Sequence, residues 1–191
     1  MKSLREIKGG VCAPLGFRAG GIHCGIRKNK DKKDFALILS DVPCAAAGVF
    51  TSNLVKGAPV VVATRNLQNG KAQAIICNSG NANTCNKDGI EVAEKMCGLA
   101  ADIAGIPADD VIVASTGVIG VPLDIAPMEG AIGDLYASLG DNSDAAAEAI
   151  MTTDTVPKSV AVEFDVGGKV CRMGAIAKGV GMICPNMATT L

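Results

Sequence analysis

Short aliphatic runs, set apart by glycine, proline and clusters of polar residues, make up most of the chain. Phe35–Leu39, Pro59–Ala63, Ala72–Cys77, Val111–Ala114, Val160–Val166 and Val170–Ala177 are the strand candidates. Ala72–Cys77 and Val111–Ala114 are continuously apolar, as expected of strands covered on both faces. Val160–Val166 alternates in part and is separated from Val170 by Gly167-Gly168, which predicts a β-hairpin. Helical periodicity is clearest over Gly89–Ala104, where Ala93, Met96, Cys97, Ala100, Ile103 and Ala104 share one stripe and Gly105 with Pro107 marks the stop. Asp124–Leu139 sets Ile125, Met128, Ile132, Leu135 and Leu139 on one face and ends at Gly140. A third helix is predicted near Ser143–Met151, with Ser143 as its N-cap. Interleaved strands and helices with mixed connections predict sheets layered with helices.

A chain of 191 residues fits a single domain and buries roughly 70% of its unfolded surface. Apolar residues are 49% of the total and charged ones 19%, which excludes global disorder. With four Phe, one Tyr and no Trp, the core must be aliphatic, and stacking platforms for single-stranded nucleic acid are lacking. The net charge of −1 leaves no footprint for nucleic-acid binding. The basic run Arg27-Lys28-Asn29-Lys30-Asp31-Lys32-Lys33-Asp34, broken by two Asp, reads as a solvated loop. The first residues carry no secretory signal and no run is long and apolar enough for a membrane span, so a cytoplasmic location is expected. Eight cysteines without a Cys-x-x-Cys pair, beside the lone His23, predict reduced, packed thiols and no metal site. His23 and Cys184 are expected to be structural.

Four runs carry candidate chemistry. In Val111–Gly120 a buried strand delivers Ser115-Thr116-Gly117 to its carboxyl end, where open α/β sheets hold ligands. A threonine hydroxyl beside a glycine N–H suits an oxyanion, although an ordinary strand-to-loop turn has the same pattern. Cys77–Asn86 packs four Asn into a polar loop, suited first to bracing a turn and second to touching a polar substrate. Lys178-Gly179 through Leu191 suits a chain that cuts itself: the Thr189 hydroxyl attacks the Ala188 carbonyl and water opens the ester. The freed α-amine, with a pKa of about 7.7–8.0, then serves as base for its own hydroxyl. A further strand beginning at Ala188-Thr189-Thr190-Leu191 is the plain alternative. Met151–Lys158, with its hydroxyls and Asp154, can bind an amino-acid-like ligand or form a simple turn. Lys178, in apolar surroundings, is either a snorkelling strand residue or an anchor for a substrate carboxylate.

Taken in order, Gly16–Ile22, Val49-Phe50-Thr51-Ser52-Asn53, Asn78–Asn83, Ala114–Gly120, Ile150–Thr155 and Ala177–Leu191 resemble the ornithine acetyltransferase family, the glutamate N-acetyltransferases of the cyclic arginine pathway. The resemblance covers nearly the whole chain. It implies an α+β fold, a layered α/β/β/α arrangement with mixed sheets that is DmpA/ornithine-acetyltransferase-like. It implies cleavage between Ala188 and Thr189, acetylation of Thr189 by N-acetylornithine, and transfer to glutamate in a ping-pong cycle. Thr116 and Gly117 become the oxyanion hole, and Thr152 and Lys178 contact substrate beside Thr189; the resemblance leaves Thr153 open in place of Thr152. No cofactor is implied, and acetyl-coenzyme A stands open as an alternative acetyl donor.

The chain ends two residues past Thr189, so residues 1–191 are expected to be the N-terminal (alpha) portion of a longer self-cleaving enzyme. The resemblance then implies partnership with its own C-terminal (beta) portion, in a heterotetramer of two alpha and two beta chains. The isolated portion is expected to be inactive. Val180 stands where the family pattern has serine. The same threonine chemistry with water as acceptor would make an N-terminal-nucleophile peptidase or amidase. An uncut Ala188-Thr189 bond would mark a non-catalytic subunit.

Overall fold

The structure is a computed structural model that describes residues 4–179. Among these residues seven strands build two sheets, accompanied by four α-helices. β2 (Phe17–Ile22), β3 (Phe35–Ala45), β4 (Lys71–Asn81) and β5 (Val111–Val118) form a mixed four-stranded sheet in that order. β2, β3 and β4 run antiparallel, and β5 lies parallel to β4 at the edge. β1 (Arg5–Ile7), β6 (Lys158–Val166) and β7 (Lys169–Ala177) form a three-stranded antiparallel sheet with β6 in the centre. This is the mixed-sheet α+β class that the family resemblance implies, and it agrees with the sheets and helices read from the patterns.

The two faces of the four-stranded sheet carry side chains of different size. Because strand side chains alternate, Phe35, Leu37 and Leu39 of β3, Ala74 and Ile76 of β4, and Val111 and Val113 of β5 all point one way. There they form the main core with α1 (Ala58–Asn66), α2 (Gly89–Ala104) and α3 (Ala126–Ala137). The other face presents Ala19, Ala36, Cys77 and Ala114, and packs against Ala146, Ala149 and Ile150 at α4 (Ser143–Ala149) and against Ile176 of β7. Small residues there let α4 approach the backbone closely. A Cβ at Gly21 would meet the Ala145 carbonyl oxygen at 2.2 Å.

Most of the predicted elements are present, with informative differences. α2 has the predicted bounds, and Gly105 closes it in the left-handed conformation (φ 68°). The β6–β7 hairpin turns through Gly167 and Gly168, both at positive φ. Pro59–Ala63, expected to be a strand, lies in α1: Pro59 occupies the first helical turn, where an N–H has no partner to lose, and Val62 and Ala63 are buried in the core. Burial against α2 and β5 overrides the β-preference of three consecutive valines. Ser143 is not the N-cap of α4. Asn142 holds that position, and the Ser143 hydroxyl instead accepts the Val11 N–H at 3.0 Å, fastening α4 to the turn Gly10–Cys12. β4 is covered on both faces only in part, since Ile75 is 42% exposed where the seven-residue α4 does not reach. β1 and β2 had no clear signal of their own.

The steric reading gives a paired prediction. Gly21→Ala should destabilise the protein by roughly 1–3 kcal/mol, the usual cost of forcing an atom into a filled site. Gly98→Ala, inside α2 with nothing within 4 Å of the added Cβ, should stabilise it by about 0.4–1 kcal/mol. Urea unfolding of the two variants beside the parent checks both signs.

Candidate functional site

The ends of β4 and β5 are held together by backbone contact. Gly80 pairs with Gly117, and a Cβ on Gly117 would lie 2.4 Å from the Gly80 carbonyl carbon. Gly117 has φ 133° and Gly80 φ 98°, conformations that disfavour any other residue at either position. Thr116, opposite Ser79, follows Ala114 by two positions and so lies on the face that Cys77 and α4 share. β5 is an edge strand of its sheet, so alternate amides near Gly117 point away from β4.

The asparagine-rich loop beyond β4 is braced by its own side chains. Asn78 Nδ2 donates to the Asn81 carbonyl at 2.9 Å, Asn81 Oδ1 accepts the Asn83 N–H at 2.8 Å, and Asn83 Nδ2 donates to the Gly89 carbonyl at 2.8 Å. Asn81 and Asn86 both donate to the Val121 carbonyl, tying in the segment after β5. Bracing, the first of the two sequence expectations, is what these four side chains do.

Lys178 is buried, 5% exposed, and lies two residues past Ile176 on the α4 side of the sheet. Its ammonium donates to the Gly179 carbonyl at 2.8 Å. Burial pushes the Cys77 thiol up to about 12, and the Lys178 charge acts in the other direction. Thr152 is half-buried and Thr153 exposed. The Arg27 guanidinium donates to the Met151 and Thr152 carbonyls at 3.2 and 3.4 Å. Asp154, read in sequence as a possible ligand-binding carboxylate, is engaged internally: its Oδ1 accepts the Gly179 N–H at 2.8 Å and the Lys158 ammonium at 2.5 Å.

Arg27, which packs on Gly80 beside Gly117, thus reaches the Thr152 carbonyl, and Asp154 ties the same segment to Gly179, the residue after Lys178. Ala188, Thr189 and Cys184 lie outside the described residues. Seven cysteines, among them buried Cys77 and Cys97 and exposed Cys85, are free thiols. His23 accompanies its loop, with Nδ1 2.9 Å from the Lys32 carbonyl and 3.3 Å from Asp34 Oδ2. The solvated-loop reading of the basic run needs one correction. Asp34 is fully buried, and its carboxylate accepts the N–H groups of Cys24 at 2.6 Å, Gly25 at 3.3 Å and Arg27 at 2.8 Å. Three converging amides offset the cost of burying that charge.

Comparison with known proteins gives a consistent result. Residues 18–191 match the family described as the ArgJ family. The arginine biosynthesis bifunctional protein ArgJ of Symbiobacterium thermophilum is 51% identical over 97% of this chain and 47% of its own length. The glutamate N-acetyltransferase of Methanocaldococcus jannaschii is 48% identical over 96% of this chain and 45% of its own. The chain thus spans about half the length of the curated relatives it matches. Among solved structures, that of Bacillus halodurans ArgJ superposes with a TM-score of 0.90 at 38% identity, covering 97% of this chain and 98% of that one. The Mycobacterium tuberculosis ornithine acetyltransferase, solved in complex with ornithine, gives 0.87 at 37% identity, covering 96% and 99%. No helix among the described residues is long and apolar enough to cross a membrane.

Asp154 gives a pH-dependent prediction. Burial raises its carboxyl, but hydrogen bonds from the Lys158 ammonium and the Gly179 N–H outweigh that and hold it down at about 2. A carboxyl depressed below its unfolded value, about 3.9, stabilises the fold above that value, and the contribution fades as pH falls through the folded value. Melting temperatures of the parent and of Asp154→Asn, measured from pH 5 to pH 2, should differ most at the upper end and converge toward the lower. A constant difference would contradict this ionisation.

Proposed function

Because the chain belongs to the ArgJ family, we propose that it is the N-terminal, single-domain portion of a glutamate N-acetyltransferase that moves an acetyl group from N-acetylornithine to glutamate in arginine biosynthesis. The Thr189 hydroxyl first attacks the Ala188 carbonyl carbon. The peptide C–N bond breaks, the nitrogen takes up a proton, and water hydrolyses the resulting ester. The freed Thr189 amine then accepts the proton of its own hydroxyl as that oxygen attacks the acetyl carbonyl of N-acetylornithine. The Thr116 hydroxyl and the Gly117 N–H stabilise the oxyanion. Collapse expels ornithine, whose nitrogen receives the proton, and leaves acetyl-Thr189. The glutamate amine attacks that ester, loses a proton and leaves as N-acetylglutamate. Acetyl-coenzyme A is an alternative donor within the same scheme.

The observation that supports this reading best is the buried ammonium of Lys178 at the same sheet end as Thr116, Gly117 and Thr152. An ammonium out of water is costly unless an anion meets it, and a substrate carboxylate supplies one. Thr152, half-buried while Thr153 is exposed, is the substrate contact in this scheme.

The proposed partner is the remaining polypeptide of a protein twice this length, the C-terminal (beta) portion, assembled as two alpha and two beta chains in the cytoplasm. Apolar surface supports a partner of that size. Val160, Val166 and Met173 lie on one face of the three-stranded sheet, each about half exposed or more, and Ile75 is uncovered on the other sheet.

Two outcomes test the proposal. Lys178→Met should raise the KM for glutamate about tenfold or more, the loss of one charge-assisted contact. The same change should leave the melting temperature equal or higher, because a buried charge has been removed. Intact mass of the longer polypeptide should show cleavage between Ala188 and Thr189, and Thr189→Ala should abolish both cleavage and turnover. Full turnover by residues 1–191 alone would refute the need for the second portion.

A further inference from the structure

Two side chains outside the proposed catalytic set connect its members. Arg27 lies directly over the glycine pair: a Cβ on Gly80 would meet the Arg27 Cγ at 2.9 Å, while Gly80 in turn abuts Gly117. From there the guanidinium reaches the Met151 and Thr152 carbonyls. Arg27 therefore spans from the β4–β5 end to the segment that carries Thr152. Its own backbone is fixed by the buried Asp34 carboxylate, which accepts the Arg27 N–H at 2.8 Å. Asp154 makes the second connection. Its carboxylate, two residues past Thr152, accepts the Gly179 N–H at 2.8 Å, so one group ties the segment that carries Thr152 to the residue after Lys178. Lys158 approaches the same oxygen and keeps the carboxylate ionised and in place.

We propose that Arg27 and Asp154 are positioning residues, Arg27 setting Thr152 against the Gly80–Gly117 backbone and Asp154 setting Thr152 against Lys178. This rests on the functional reading above. Neither side chain needs to touch substrate. Arg27 spends its guanidinium on two carbonyls, and the Asp154 side chain is 3% exposed with Oδ1 committed to Gly179 and Lys158. The two arms act on different distances, and so their loss has different kinetic consequences. Loosening Thr152 from the oxyanion donors misaligns the bound acetyl group at the moment of attack and lowers kcat. Loosening Lys178 weakens the hold on the substrate carboxylate and raises KM.

The test is steady-state acetyl transfer from N-acetylornithine to glutamate by the full-length protein, with kcat expressed per acetyl-forming site so that misfolded molecules do not count. Arg27→Met should lower kcat about tenfold with KM within about threefold, and Arg27→Lys, which can still reach one carbonyl, should recover part of the loss. Asp154→Asn should raise the KM for glutamate about tenfold with kcat within about threefold. Parent-like kinetics in both variants would overturn the assignment. So would a fall in melting temperature alone, with kcat and KM per active site unchanged. If Arg27→Met or Asp154→Asn yields no folded enzyme, Arg27→Lys and Asp154→Glu decide by the same split. A parent enzyme without turnover would instead defeat the functional reading, so the two failures are distinguishable.

Discussion

Bare backbone at Gly80 and Gly117 is the constraint on which the candidate site depends. The two strands approach there more closely than any side chain allows, with only 2.4 Å between a hypothetical Cβ on Gly117 and the Gly80 carbonyl carbon. That contact fixes where β5 ends relative to β4, and hence where Thr116 and the Gly117 amide lie. The asparagine loop locks the next turn by bonding side chain to backbone at successive positions, so the strand ends cannot drift apart. Rigid donors of this kind are what an oxyanion requires, since they need not reorganise as charge develops.

The same sheet also explains how the other residues reach the site. Its large aliphatic side chains face three helices and make the core, while its alanines, Gly21 and Cys77 leave room on the opposite side for α4 and the end of β7. The close seating of α4 sets the start of the segment from Met151 to Asp154, and Ile176 brings Lys178 in beside Cys77. Asp154 and Arg27 then fasten these pieces to each other and to the glycine pair.

Much of this was legible along the chain. α2 could be read to the residue because its apolar stripe is long and Gly105 supplies an unambiguous stop. The β6–β7 hairpin followed from two glycines between alternating runs. α1 was misread because three valines argue for a strand when burial is invisible. β2 gives no strand signal in sequence, since Gly20 and Gly21 remove the side chains that would announce one. The roles of Asp34, Arg27 and Asp154 could not be read at all. Their deciding partners, the Arg27 amide for Asp34, the Met151 carbonyl for Arg27 and the Gly179 amide for Asp154, lie seven to well over a hundred residues away, and a charged residue beside lysines looks solvated until the fold buries it. A buried aspartate closing a basic run, directly before the apolar Phe35–Leu39, was the one available hint.

The proposed activity depends most directly on an acetyl group passing through Thr189. The measurement is a peptide mass map of the full-length protein, quenched after mixing with N-acetylornithine in the absence of glutamate. The account predicts one acetyl group on a peptide that begins at Thr189, removed when glutamate is added before quenching. An actively turning-over enzyme that carries no acetyl group there, or carries it on a different residue, would contradict it.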